Sequence, residues 1–155
     1  GREAGREADA ARVAIERLAS RRETIDQRRD ELKPLLKTAR EAVGDDVDLM
    51  LDPYHYYSRE EALALGKGIE ALNYYWMEEP LDEHCISSYK WLTDQLSLLI
   101  VGPETAEGKM FTRAEWIVRG ASDASRGGVG DVGGITPLMK VAQLLSTIPD
   151  VLPPE

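Results

Sequence analysis

The sequence is poor in the residues that build cross-links and soft-metal cages. Cys85 is its only cysteine, and it has two histidines among 155 residues. An intrachain disulfide and a cysteine-based zinc site are therefore excluded. Long apolar runs are also lacking. The longest, around LSLLIV, is too short to span a bilayer, and no signal-peptide pattern opens the chain. We therefore expect a protein of the reducing cytoplasm.

Positive charge is in short supply as well. Lys and Arg number 19 against 28 Asp and Glu, so the formal net charge is −9. Such a field repels nucleic acid and anionic membranes, and we expect neither as a partner. Hydrophobic residues make up 43%, which is typical of soluble globular proteins. The length suits one domain and is short for two.

Residues 1–43 are rich in Ala, Arg and Glu, which are strong helix formers. A capping box from Ser20 to Glu23 predicts a break between two helices, and Pro34 predicts a kink in the second. Apolar residues recur at helical spacing, so each helix should bury one face. The opening GREAGREA looks more like an engineered segment than an evolved one.

A different pattern begins after residue 45, where short apolar runs alternate with amphipathic segments. The predicted strands are 47–52, 74–79, 98–104 and, more weakly, 122–127. The predicted helices are 58–72, 84–96, 112–120 and a last one capped by Thr136. Alternation of this kind predicts right-handed βαβ units and a parallel α/β sheet.

Each of the three clear strands ends on an acid. These acids are Asp52, Glu78 and Glu104, and each is 26 residues from the next. Ligands bind parallel sheets at the carboxyl ends of neighbouring strands, which lie about 4.8 Å apart. Three converging carboxylates repel one another unless a cation neutralises them, and oxygen ligands favour Mg²⁺. The alternative is that the acids cap helices or face water, but their constant spacing favours a metal site.

Four ordered motifs carry a family resemblance: DLMLDPY, YYWMEEPLDE, IVGPE and DVGGITPLMKVA. Together they resemble the enolase superfamily in its mandelate racemase/muconate lactonizing enzyme branch, and most of all its acid-sugar dehydratases. The resemblance implies a (β/α)₈ barrel in which Mg²⁺ stabilises the enediolate formed when a base removes the proton α to a carboxylate. It further implies Asp52, Glu78 and Glu104 as the Mg²⁺ ligands, with Glu79 as a supporting group beside them.

By this resemblance the chain is a single domain holding about four parallel strands of the barrel, with helices on the outer face. We divide it into a helical segment foreign to the family (1–33), βα repeats (34–147) and a proline-rich tail (148–155). The inner sheet face of such a half-barrel would be open, and the two N-terminal helices are expected to cover it. The alternative is a homodimer through the open face or the strand edges.

The strands that carry the family's catalytic bases are not recognisable in this sequence. We therefore expect a truncated or engineered partial barrel that binds Mg²⁺ weakly and does not turn over by itself. His55, three residues after Asp52, is the remaining candidate base. One alternative is a Mg²⁺-dependent dehydratase or racemase, acting on a small acid sugar if other chains complete the barrel. Another is nucleotide binding by GVGDVG (128–133), which matches G-x-G-x-x-G but follows a polar segment.

Overall fold

Local capping signals set where the second helix begins. Ser58 is its N-cap, because the Ser58 hydroxyl accepts a hydrogen bond from the N–H of Glu61 and the Glu61 carboxylate accepts one from the N–H of Ser58. This capping box starts α2 at Arg59, next to the predicted start of the helix at residue 58. The structure, a computed structural model, describes residues 2–147, so the predicted tail at 148–155 lies outside the described residues. The elements are α1 (Arg2–Val43), β1 (Met50–Leu51), α2 (Arg59–Glu70), β2 (Trp76–Glu78), α3 (Ile86–Thr93), β3 (Leu99–Val101), α4 (Lys109–Arg119) and α5 (Ile135–Leu145).

The N-terminal segment is one continuous helix, α1, so the prediction of two helices is wrong. The carbonyl of Ser20 accepts a hydrogen bond from the Thr24 hydroxyl within the uninterrupted helix. Pro34 removes one helical hydrogen bond, but it lies at an exposed position where water can replace that bond. Ile15 and Leu18 are about two-thirds exposed, at 67% and 66%. The apolar spacing in this part of α1 therefore does not mark a buried face.

The strands form a parallel sheet in the order β1-β2-β3, joined by α2 and α3. The register pairs Met50 with Trp76, and Trp76 with Leu99. This confirms the predicted parallel α/β class. The predicted fourth strand is reduced to a single parallel bridge between Val101 and Ala124, because its polar sequence has little strand propensity. Residues 2–147 therefore contain three strands and one bridge where about four strands were predicted.

The two faces of the sheet are buried to very different extents, since alternate strand residues point to opposite sides. On the outer face, Met77 and Ile100 are fully buried in the core. The helices contribute the rest of that core, including Ala62, Leu65, Ile69, Tyr89, Leu92 and Trp116. On the inner face, Met50 is 48% exposed, while Trp76 and Leu99 are only partly buried.

Helix α1 packs on the outside, against α2. Arg40 anchors it by donating four hydrogen bonds to backbone carbonyls, including those of Leu72 and Asn73 at 3.0 and 2.8 Å. Leu36 packs against the same core that holds the outer face of the sheet. The prediction that N-terminal helices cover the inner face is therefore wrong, and that apolar surface stays open in the described part of the chain.

The last helix begins earlier than predicted. Gly134 is its N-cap, so Thr136 is the second helical residue rather than the cap. Pro137 still lies in the first turn, where its missing N–H costs nothing because the first four N–H groups of a helix have no helical acceptor. None of the helices within residues 2–147 combines the length and apolar character needed to span a membrane.

Candidate metal centre

The parallel register brings the predicted carboxylates to one edge of the sheet. Glu78 is the last residue of β2 and pairs with Val101, the last residue of β3. Asp52 directly follows β1, and Glu104 lies three residues after β3. All three acids therefore leave the sheet at the carboxyl ends of adjacent strands, where parallel sheets bind their ligands.

Arg126 joins two of these acids. Its Nη1 atom forms an ion pair with Oε1 of Glu78 and a second one, at 2.7 Å, with Oε2 of Glu104. The Glu78 side chain is 11% exposed, whereas the Arg126 side chain is 41% exposed. Two predicted metal ligands thus converge on one cationic nitrogen. Sequence reasoning missed Arg126, whose only signal was its place in the weak fourth strand, just before the glycine loop.

Asp52 stands apart from this ion pair. It is exposed, and its Oδ1 accepts a hydrogen bond from the backbone N–H of Tyr54 at 3.1 Å, within its own loop. Its charge nevertheless contributes to raising the pKa of Glu79, as does that of Glu104. The structure therefore places Asp52 at the same edge without joining its side chain to Arg126.

Glu79, predicted as a supporting group, is the most deeply buried acid of the site. It is 0% exposed, and neither of its carboxylate oxygens has a hydrogen-bond donor among the described residues. Burial, and after it the neighbouring carboxylates, beginning with Glu83, raise the pKa of Glu79 to about 8. Its backbone has a φ of 44°, a value that residues with a side chain rarely adopt. Strain of this kind concentrates at functional sites.

Glu83 is a buried acid that sequence reasoning missed. Its Oε1 accepts the N–H of Glu104 at 2.6 Å, and its Oε2 accepts the N–H groups of Thr105 and Ala106 at 2.7 and 2.6 Å. The Thr105 hydroxyl also donates to Oε2, at 2.9 Å. Glu83 thereby holds the backbone of the loop that carries Glu104. Its only sequence signal was the second acidic pair in EEPLDE.

His55 reaches the buried acids from the loop after β1. Its Nε2 lies 3.3 Å from Oε2 of Glu79 and 4.0 Å from Oε2 of Glu83. Its backbone N–H donates to the carbonyl of Glu79 at 2.6 Å, and its ring stacks on that of Tyr54. The structure thus places the candidate base beside the carboxylates, at 24% side-chain exposure. A catalytic role for His55 stays a prediction.

The GVGDVG segment forms a tight loop before α5. The N–H of Gly128 donates to the Asp131 carboxylate at 3.0 Å. Immediately before the loop, among the described residues, strand pairing is limited to the Val101–Ala124 bridge. An internal carboxylate on the loop opposes the binding of a phosphate there. The loop geometry therefore gives the nucleotide-binding alternative no support.

The fold and these carboxylates define a class: parallel α/β proteins with an acidic centre at the carboxyl edge of the sheet. A family model described as enolase C-terminal domain-like matches residues 6–148. The chain belongs to this family, and the resemblance noted in its motifs is confirmed. The matched range takes in most of α1. The division of the chain at residue 33 and an engineered origin of the N-terminal segment stay predictions.

Several relatives of the chain are acid-sugar dehydratases. The crystal structure of D-glucarate dehydratase from Agrobacterium tumefaciens, complexed with magnesium, superposes on this chain with a TM-score of 0.65. The aligned part covers 69% of this chain and 28% of that protein, with 58% sequence identity. L-talarate/galactarate dehydratase of Salmonella typhimurium is 35% identical over 70% of this chain and 27% of the relative. Arabinonate dehydratase of Saccharolobus solfataricus is 34% identical over 70% of this chain and 29% of the relative. The chain therefore spans less than a third of the length of these proteins.

Proposed function

We propose that Asp52, Glu78 and Glu104 bind Mg²⁺, and that the chain represents the metal-binding part of an acid-sugar dehydratase. The observation that carries the proposal is the position of Arg126. A single cationic group already lies between the carboxylates of Glu78 and Glu104. Where one cation binds two carboxylates at the edge of a parallel sheet, a divalent ion can replace it with a larger electrostatic gain.

The donor set suits Mg²⁺. All three proposed ligands are carboxylates, and hard oxygen donors favour Mg²⁺ over metals that prefer nitrogen or sulfur. Glu78 is nearly buried and Glu104 is held through its backbone by Glu83, so both are fixed in place. Asp52 is exposed, so its side chain can turn towards an ion at little cost. The remaining coordination positions would go to water and substrate.

The proposed chemistry is that of the relatives. Bound at this centre, Mg²⁺ would act as a Lewis acid on a substrate carboxylate and so acidify the proton α to it. His55 lies at the edge of the centre and is the candidate to accept such a proton. Because the chain spans less than a third of its relatives, we propose turnover of an acid sugar only for a completed barrel. The chain alone is proposed to bind the metal without turnover.

Isothermal titration with Mg²⁺ tests this proposal. The variants Asp52→Asn, Glu78→Gln and Glu104→Gln each remove one charged ligand, and each should weaken Mg²⁺ binding at least about tenfold. Glu60→Gln removes an acid from the first turn of α2 and is the matched control, which should bind like the wild type. Equal Mg²⁺ affinity in all these proteins would overturn the proposal.

A further inference from the structure

We propose that His55, Glu79 and Glu83 form a second divalent-metal site, which prefers Zn²⁺ and is distinct from the Mg²⁺ centre. One ligand atom from each residue lies within 4.8 Å of the other two. Nε2 of His55 lies 3.3 Å from Oε2 of Glu79. No residue of this cluster belongs to the carboxylates proposed above for Mg²⁺, so this site can exist whether or not Mg²⁺ binds there. While His55 binds the second metal, its Nε2 does not serve as the proton acceptor proposed above.

The main observation is the unpartnered carboxylate of Glu79. A fully buried polar group without a donor is costly, and native structures rarely leave one unexplained. Both oxygens of Glu79 are in this state among the described residues. They face the imidazole of His55 and the carboxylate of Glu83. A metal ion bound between these three groups would supply the missing positive partner.

The three side chains are held in place by the backbone around them. His55 and Glu79 both have positive φ, 60° and 44°, and the N–H of His55 donates to the carbonyl of Glu79 at 2.6 Å. Glu83 is held by the backbone of the loop after β3. Its Oε1 accepts one hydrogen bond, from the N–H of Glu104, which leaves a lone pair for a metal.

The ligand types select the metal. One imidazole with two carboxylates mixes nitrogen and oxygen donors, both of which bind Zn²⁺, and catalytic zinc sites hold the ion through three protein ligands and one water. With metal–ligand bonds of about 2.0 Å, neighbouring ligands of a tetrahedral ion lie about 3.3 Å apart. The His55–Glu79 separation of 3.3 Å matches this value, and Oε1 of Glu83, which accepts a single hydrogen bond, is the oxygen that would complete the set. Mg²⁺ prefers an all-oxygen site, so the two centres differ in selectivity.

A titration with Co²⁺ in the presence of saturating Mg²⁺ tests the proposal, since Co²⁺ reports tetrahedral nitrogen and oxygen ligands by its visible absorption. We expect one Co²⁺ per chain, displaced by Zn²⁺. The variants His55→Ala and Glu79→Gln should each weaken Co²⁺ binding at least about tenfold. His84→Ala removes the other histidine, which is exposed beside Asp82, and should leave Co²⁺ binding unchanged.

Four results would overturn the proposal. Unchanged Co²⁺ binding in His55→Ala would show that the His55 imidazole is not a ligand. Loss of Co²⁺ binding in His84→Ala would show that the ion binds near His84 instead. If Asp52→Asn weakens Co²⁺ binding as much as His55→Ala does, the two centres are one. Imidazole NMR of the wild-type chain gives an answer that needs no variant. Zn²⁺ should shift the His55 resonances and leave those of His84 in place, and an unshifted His55 contradicts the site.

Discussion

Replacing Arg126 by glutamine should strengthen Mg²⁺ binding, although the change removes an ion-pair partner from the site. In the described structure the Arg126 guanidinium pairs with two of the carboxylates proposed as Mg²⁺ ligands, so we expect it to compete with Mg²⁺. Its side chain is 41% exposed, so each ion pair is partly screened and contributes about 0.5–1 kcal/mol. Without these two ion pairs, Mg²⁺ binding no longer has to break them, which saves about 1–2 kcal/mol of binding free energy. This corresponds to a gain in Mg²⁺ affinity of about fivefold to thirtyfold.

Isothermal titration of the wild type and of Arg126→Gln measures this difference. Arg119→Gln is the matched control, because Arg119 also pairs with an acid but lies on the exposed surface of α4. The gain should shrink at high salt, which already screens the competing ion pairs. Equal or weaker Mg²⁺ binding in Arg126→Gln would refute the reasoning, since it would mean that Arg126 does not occupy the position of the metal.

Three further predictions concern the buried acids and the open sheet face. Glu83→Gln replaces one carboxylate oxygen by an NH₂ group, which cannot accept hydrogen bonds from the backbone N–H groups of the Glu104 loop. The free energy of unfolding measured with urea should therefore fall by about 2–4 kcal/mol. Burial raises the pKa of Glu79 from 4.5 to about 8, so the metal-free folded chain binds more protons than the unfolded chain between these values. Its unfolding free energy should therefore fall as the pH rises through that window, by up to about 1.4 kcal/mol per unit from Glu79, and Glu79→Gln should remove this contribution. Met50 leaves apolar surface open on the inner face; if this face forms the predicted homodimer, sedimentation should show a dimer in the wild type and a monomer in Met50→Lys.

The order of the elements and the place of the proposed metal ligands could be predicted from the sequence because their causes are local. The Ser58–Glu61 capping box lies within one helical turn, and it begins α2 where predicted. The even spacing of Asp52, Glu78 and Glu104 reflects one βα unit per repeat. Because β1, β2 and β3 pair in parallel, this spacing places the three acids at the same edge of the sheet. Local reasoning failed in α1, where Ser20 resembles a cap but does not outweigh a strongly helical composition.

The sequence by itself determined the parallel α/β class, the family and the acids that close each strand, since period, capping and motif order are properties of neighbouring residues. Only the tertiary structure decided what those acids contact. Arg126 is 48 residues from Glu78 and Glu83 is 21 residues from Glu104, so neither contact leaves a local pattern. Likewise, the burial of Glu79 depends on how the sheet and its loops pack together. The open inner face has the same cause, because it depends on where α1 packs, and an amphipathic pattern does not state which surface a helix will cover.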